Sequence, residues 1–243
     1  MLSPGEIHFL WWFIQGSIMN PSTRERLRKA WGLCDRHAWG WMVVEAAFRS
    51  GYMHGPAVLY EDLMGLAMVV FEMRGPIQRE RLRRSLRLKR PCLMCEEGYG
   101  SRTKGFVRKK IVQQGRNLSE LQLLARRTQQ YWLKAVCGRC AGTVSTQRCR
   151  THLIEDISRG LTEVSEHRAL VLYLSRHLFT YARSFQFEFH GTHTEEDEAA
   201  LISAVGWCSG WASLLSITCD ATKVVKEQAH TMPSAIIEER KLT

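Results

Sequence analysis

No run of this sequence is long and apolar enough to cross a bilayer. The longest begins Phe9-Leu-Trp-Trp-Phe-Ile14 and, even extended past Gln15 and Gly16 to Met19, falls far short of the roughly 20 residues a membrane helix needs. With no basic stretch before it and no small-x-small cleavage pattern after it, it reads as an opening core helix rather than a secretory leader. Period-2 alternation is almost missing too. Gln186–His190 alternates, but is too short to outweigh the helical pattern before it. The chain also has no Gly-rich phosphate loop, no nucleophile elbow and no His-Glu-x-x-His pair, which leaves the common nucleotide-binding, hydrolase and metalloprotease motifs without a foothold.

What is present is ordinary globular material. Hydrophobic residues make up 45% and charged residues 24% of 243, enough to bury a core without a metal. Eight cysteines without a leader point to a reducing, cytoplasmic setting, where paired cysteines are ligands or redox groups more often than structural disulfides.

The pattern predicts an all-α protein, an irregular helical bundle stapled by Cys/His metal knuckles. Leu59, Leu63, Leu66, Val69 and Val70 recur at helical spacing. Ser22 with Glu25, Asn117 with Glu120 and Thr194 with Asp197 form capping-box pairs. Helices are expected over about 36–49, 56–73, 77–89, 117–136, 161–187 and 195–217. Residues 1–90 form an N-terminal helical unit and 91–219 a Cys/His-rich unit, and the two can pack as one domain. Residues 220–243 read as a flexible tail.

Four two-ligand half-sites stand out: Cys34-Asp-Arg-His37, Cys92-Leu-Met-Cys95, Cys137-Gly-Arg-Cys140 and Cys149-Arg-Thr-His152. A two-residue gap lets a tight turn aim both side chains at one ion, and thiolate and imidazole are ligand types zinc prefers. Eight ligands suit two closed tetrahedral sites, so two zinc ions are expected. Cys137, Cys140, Cys149 and His152 lie close enough in sequence to close around an ion alone. Cys34 and His37 would pair with Cys92 and Cys95 across a long excursion; the crossed pairing of Cys92/Cys95 with Cys137/Cys140 is the alternative. Those same four cysteines would also suffice for an iron–sulfur cluster. Cys208 and Cys219 lack a partner gap and read as core.

Saturated, thiolate-rich sites neither activate water nor bind substrate well, which points away from an enzyme. Two looser candidates are His54 with Glu61 and Asp62, and an accessory metal patch of His190 and His193 with Glu195, Glu196 and Asp197; polar helix faces and caps explain both as readily.

The basic charge is concentrated. Between Arg74 and Arg116 stand fourteen Lys/Arg against three acids, a net of +11 when the whole chain carries +10. Arg79, Arg83, Arg84, Arg87, Lys89 and Arg90, continued by Arg108, Lys109 and Lys110, form a candidate phosphate-binding stripe for DNA or RNA, with Tyr99 and Phe106 as possible stacking groups. An acidic protein partner fits the same charge. The Trp-rich opening (Trp11, Trp12, Trp31, Trp39, Trp41) offers a second docking candidate.

The stretches Gly32-Leu-Cys-Asp-Arg-His-Ala-Trp39, Ala57-Val-Leu-Tyr-Glu-Asp-Leu63 and Arg148-Cys-Arg-Thr-His-Leu153 resemble a family of uncharacterised prokaryotic helical proteins. These are built from two related units, each a Cys-x-x-Cys, a helix and a Gly-x-Cys-x-x-His step. The resemblance runs through short motifs over most of residues 10–217. It implies a metal-bearing helical fold and carries no activity. The chain departs from that pattern at the front, where Pro4-Gly-Glu-Ile-His8 stands in place of a first Cys-x-x-Cys. Either Glu6 and His8 act as hard ligands, or the first site borrows Cys92 and Cys95. Three functions are compatible with these readings: a zinc-stabilised adaptor or regulator contacting nucleic acid through 77–116, a zinc-stapled protein-interaction module, or an iron–sulfur or thiol-redox protein.

Overall fold

The computed structural model describes residues 1–73, 77–161 and 164–218. The expected tail at 220–243 and Cys219 lie outside the described residues. Those described contain helices and no strand. In chain order the α-helices are α1 (Pro4–Phe13), α2 (Pro21–Lys29), α3 (Asp35–Phe48), α4 (His54–Glu72), α5 (Gln78–Leu86), α6 (Leu93–Glu96) and α7 (Lys109–Gln114). After them come α8 (Ser119–Arg127), α9 (Gln129–Trp132), α10 (Gly138–Ala141), α11 (Arg150–Ser158), α12 (Val164–Arg183), α13 (Glu195–Ser209) and α14 (Ala212–Ile217). No described helix is long and apolar enough to cross a membrane.

The packing centres on α12, which lies along both α4 and α13. Helix α13 is buried on every side, from Ala199 to Cys208 without a break, so its apolar residues need no periodicity. Trp207 meets Trp31 and Phe71, while Trp211 meets Trp39 and Trp132, with ring centroids 6.0–6.4 Å apart. A Cβ on Gly206 would stand 2.3 Å from the Trp211 ring, so only glycine lets that indole lie against the helix. Trp31, Trp39 and Trp41 are fully enclosed and Trp12 alone of the opening tryptophans is exposed, which removes the Trp-rich docking patch as a unit.

Four local expectations shift. Helix α2 is capped not by Ser22 and Glu25 but by Asn20, whose side chain accepts from the Ser22 N–H ahead of Pro21 in the first turn. Asn117 accepts from the Ser119 N–H rather than forming a box with Glu120. Helix α5 stops at Leu86, because Arg87 turns to an extended conformation. The Thr194–Asp197 capping box forms as expected, but the final helix breaks at Gly210 (φ +114°) into α13 and α14.

One buried carboxyl carries a pH signature. Glu45 on α3 accepts from the Trp41 indole N–H at 3.1 Å and from the backbone N–H of Gly55, at the start of α4. Burial outweighs those bonds and the nearby Arg49, and pushes it from 4.5 up to about 7. A raised carboxyl favours the fold most below pH 4.5 and loses that contribution as pH rises through 7, a swing of at most about 3 kcal/mol. The melting temperature is therefore expected to fall between pH 5 and 8, and Glu45→Gln to flatten that part of the profile. An unaltered profile in the variant would mean that Glu45 ionises freely.

Candidate metal centres

Each CxxC half-site is a single helical turn and each CxxH half-site is the start of a longer helix. Cys92 and Cys137 are the N-caps of α6 and α10; Cys34 and Cys149 are the N-caps of α3 and α11, and His37 and His152 occupy the third helical position. Cys34 and Cys149 share nearly the same extended backbone, φ −68°, ψ 166° and φ −69°, ψ 163°. A residue at the N-cap and one three positions later face the same way over the first turn. The gap of two thus aims both ligands beyond the helix end.

The four half-sites meet in two clusters, Cys34/His37/Cys92/Cys95 and Cys137/Cys140/Cys149/His152, and within each the donor atoms all lie within 4.8 Å of one another. Each set can hold a metal ion. In the first, His37 Nδ1 stands 3.3 Å from the Cys34 sulfur and 3.4 Å from those of Cys92 and Cys95. In the second, His152 Nδ1 stands 3.2, 3.4 and 3.3 Å from Cys137, Cys140 and Cys149. The sulfurs of Cys34 and Cys95, and those of Cys140 and Cys149, are 3.8 Å apart. The crossed grouping of Cys92/Cys95 with Cys137/Cys140 is not formed. The two clusters are alike in parts but opposite in order: the first runs CxxH then CxxC, the second CxxC then CxxH.

The thiols titrate as groups. In the first cluster hydrogen bonding from Cys34 and His37 pulls Cys92 down to about 3, while that thiolate pushes Cys34 up and burial pushes Cys95 up. In the second, bonds from Cys140 and Cys149 pull Cys137 down; its thiolate raises Cys149 and brings Cys140 to about 11. One thiolate per cluster is stabilised by its neighbours' protons, which a bound cation would displace.

Glu6 is not a ligand but stands behind one. Its Oε1 is 3.0 Å from His37 Nε2, on the side of the ring away from the sulfurs. Arg36 donates to both its oxygens at 2.6 and 2.8 Å, and the Ser3 N–H donates at 2.6 Å as half of the α1 capping box. The residue is wholly enclosed, and burial alone would raise its carboxyl; the bonds and charge of Arg36 with those of Ser3 outweigh that and hold it at about 2. Carboxylates in this position fix the tautomer and orientation of a ligating histidine. His8 is outside both clusters.

The second cluster is braced differently. Asp156 on α11 pairs with Arg139, inside the CxxC turn, at 3.1 Å, and with Arg148, next to Cys149, at 2.5 Å. Gly138 is required: its N–H donates to Gln147 O at 3.0 Å, and a Cβ there would lie 2.2 Å from Ser145 O. Arg150, inside the CxxH step, is buried and donates to Cys208 O at 3.0 Å and Leu86 O at 2.7 Å. Asp35 holds the matching place in the first cluster and accepts from the Ser213 N–H at 3.0 Å. Both CxxH steps are therefore tied to the α13–α14 region.

The other candidates fare differently. His193 faces Glu198, His177 faces Asp197, the capping-box partner of Thr194, and Tyr173 donates to Glu196, while His190 and Glu195 are exposed. Asp62 pairs with Arg24 and Arg28, and His54 lies on Phe185. In the basic segment Glu80 binds Arg83 and Arg84, and Glu96 binds Arg90 as well as Arg26. Arg79, Arg87, Lys89, Arg108, Lys109 and Lys110 are exposed, with no ion pair to any described residue. Arg81, which the sequence reading passed over, is exposed in the same way.

No family model matches this chain, and no curated protein or solved structure matches it either.

Proposed function

We propose that the protein is a non-catalytic scaffold held by two structural zinc ions, one in each Cys3His cluster, and that it contacts nucleic acid through its basic segment 77–116. The observation that carries the first part is the donor spacing. Four bonds of about 2.0–2.3 Å arranged tetrahedrally put neighbouring sulfurs ~3.8 Å apart and nitrogen ~3.5 Å from sulfur; the clusters have sulfur pairs at 3.8 Å and nitrogen–sulfur distances of 3.2–3.4 Å. An iron–sulfur cluster interposes sulfide and two or more irons, which spreads its cysteines wider than a single ion does. The separation of Cys92/Cys95 from Cys137/Cys140 also speaks against a four-cysteine cluster. In both sites all four positions are filled by protein, which favours a structural over a catalytic role. The similar build of the two sites is in keeping with the two-unit family resemblance, with Cys92 and Cys95 supplying the half-site the front of the chain lacks.

Elemental analysis with an ultraviolet–visible spectrum tests the metal assignment. Two zinc per chain and no visible band are expected; iron with a broad band near about 400 nm would overturn it.

The nucleic-acid part rests on exposed charge that has no ion pair to any described residue. Arg83, Arg84 and Arg90 are engaged by Glu80 and Glu96, so the effective contacts are Arg79, Arg81, Arg87 and Lys89 with Arg108, Lys109 and Lys110. Replacing Arg79 and Arg87 by alanine is expected to weaken binding to DNA or RNA of any sequence, and to lower the slope of log K against log salt by about 2. Arg83→Ala, already neutralised internally, should change that slope little. A protein that binds neither nucleic acid at low salt would exclude this part and leave the second reading, an acidic protein partner.

A further inference from the structure

The loop that leaves the first metal cluster runs back along α1. Tyr99 N–H donates to Met94 O at 2.8 Å as the chain leaves the Cys92–Cys95 turn. The next residues attach to α1 one after another: the Tyr99 ring packs tilted against Phe9 with centroids 4.8 Å apart, Ser3 Oγ donates to Gly100 O at 2.8 Å, and the Gly5 N–H donates to Thr103 O at 2.9 Å. Two glycines make this close approach possible. A Cβ on Gly105 would lie 2.3 Å from Pro4 O, and one on Gly5 would lie 2.6 Å from Thr103. Helix α7 then packs on the same helix.

This arrangement assembles aromatic rings and positive charge that are apart in sequence. Phe106 is 94% exposed one residue past the Gly105–Pro4 contact, and Trp12 is 62% exposed near the other end of α1. Phe9 and Tyr99 are half-buried between them. From Pro4 to Trp12 is ~12 Å at about 1.5 Å per helical residue. Arg102, Lys104, Arg108, Lys109 and Lys110 are all exposed, and no carboxylate occurs between Gly98 and Asn117. The single acid of α1, Glu6, is enclosed behind His37 and Arg36.

We infer that the α1 edge and the loop 99–110 form a binding surface for single-stranded nucleic acid, with Trp12 and Phe106 stacking on bases and the five cations following the phosphates. The inference rests on the polyanion-binding reading above and narrows it. A duplex keeps its bases stacked inside and can offer this surface only phosphate, whereas a single strand offers both faces and charge. An acidic peptide would satisfy the cations but leave the exposed rings without planar partners.

The test uses the full-length, zinc-loaded chain and fluorescence anisotropy with a labelled twelve-residue oligothymidylate, its duplex with oligoadenylate, and poly-glutamate. The expected result is tighter binding to the single strand, with Trp12→Ala and Phe106→Ala each weakening it roughly 5- to 100-fold. Salt slope, zinc content and melting temperature should stay as in the parent, since both side chains lie outside the core. Arg79→Ala with Arg87→Ala should instead move the salt slope. Equal affinity of both aromatic variants and the parent for the single strand would overturn the inference while leaving the polyanion reading intact. Poly-glutamate bound as tightly as oligothymidylate, or the duplex bound more tightly than the single strand, would also overturn it. A parent that binds none of the three probes would remove both readings together.

Discussion

Cys149→Ser protein is expected to carry one zinc ion instead of two and to melt roughly 10 °C lower than the parent. Cys149 is at once a buried ligand, the N-cap of α11 and the neighbour of the buried Arg150, which ties the second cluster to Cys208 O and Leu86 O. Structural zinc contributes about 10 kcal/mol or more in fingers that have little else. Here a helical core remains, so a loss on the order of 4 kcal/mol is the expectation, at about 2–4 °C per kcal/mol for a chain of this length. Protection from amide exchange should drop first over 137–152, where Gly138, Ser145 and Gln147 are held together beside the site. Cys208→Ala supplies the control: that thiol is equally buried but belongs to neither cluster, so both ions should stay. Two zinc ions in Cys149→Ser, or one in Cys208→Ala, would sink the assignment of the second site.

The second large effect is expected at a residue that touches no metal. Glu6→Gln removes the negative charge that faces His37 Nε2 and Arg36 in an enclosed site. Loss of such a partner weakens metal binding by about 10- to 100-fold, while Arg36, whose side chain is 39% exposed, can turn to water and adds little to the loss. The expected observation is a biphasic chelator titration. One zinc should leave the variant at a much lower chelator concentration than in the parent, and the other, held by Cys137, Cys140, Cys149 and His152, should leave as before. Parallel release of both ions would show that Glu6 only caps α1 and does not orient His37.

The helices and the Cys/His half-sites are legible in the sequence because their signals are local. A CxxC or CxxH pair needs one turn of backbone, and the Thr194–Asp197 box needs three residues. The pairing of half-sites is not, since Cys92/Cys95 could join either Cys34/His37 or Cys137/Cys140 until the packing brought α3 against the turn at α6. Glu6 was visible as an odd acid in the opening helix, yet its place behind His37 depends on α1 crossing α3, which no spacing encodes. The basic stripe was read as one helical face, but the backbone leaves the helix at Arg87 and internal acids take Arg83, Arg84 and Arg90. Burial of Trp31 and Trp39 was likewise a matter of partners, for Trp207 and Trp211 arrive from far along the chain, while Trp41 lies between Phe13 and Tyr60.

The opposite order of the two clusters bears on how the chain matures on the ribosome. Cys140 and Cys149 are nine positions apart, whereas His37 and Cys92 are separated by 55. At about 5–20 residues per second, the second centre has its full ligand set about 1–3 s after its first ligand is made, whereas the first waits about 3–12 s. Throughout that interval Cys34 and His37 have no Cys92 and Cys95 to complete the donor set that the folded chain brings together. If the two sites hold zinc as proposed, the N-terminal centre is then the one whose assembly depends most on zinc supply, although it belongs to the part of the protein that is made first.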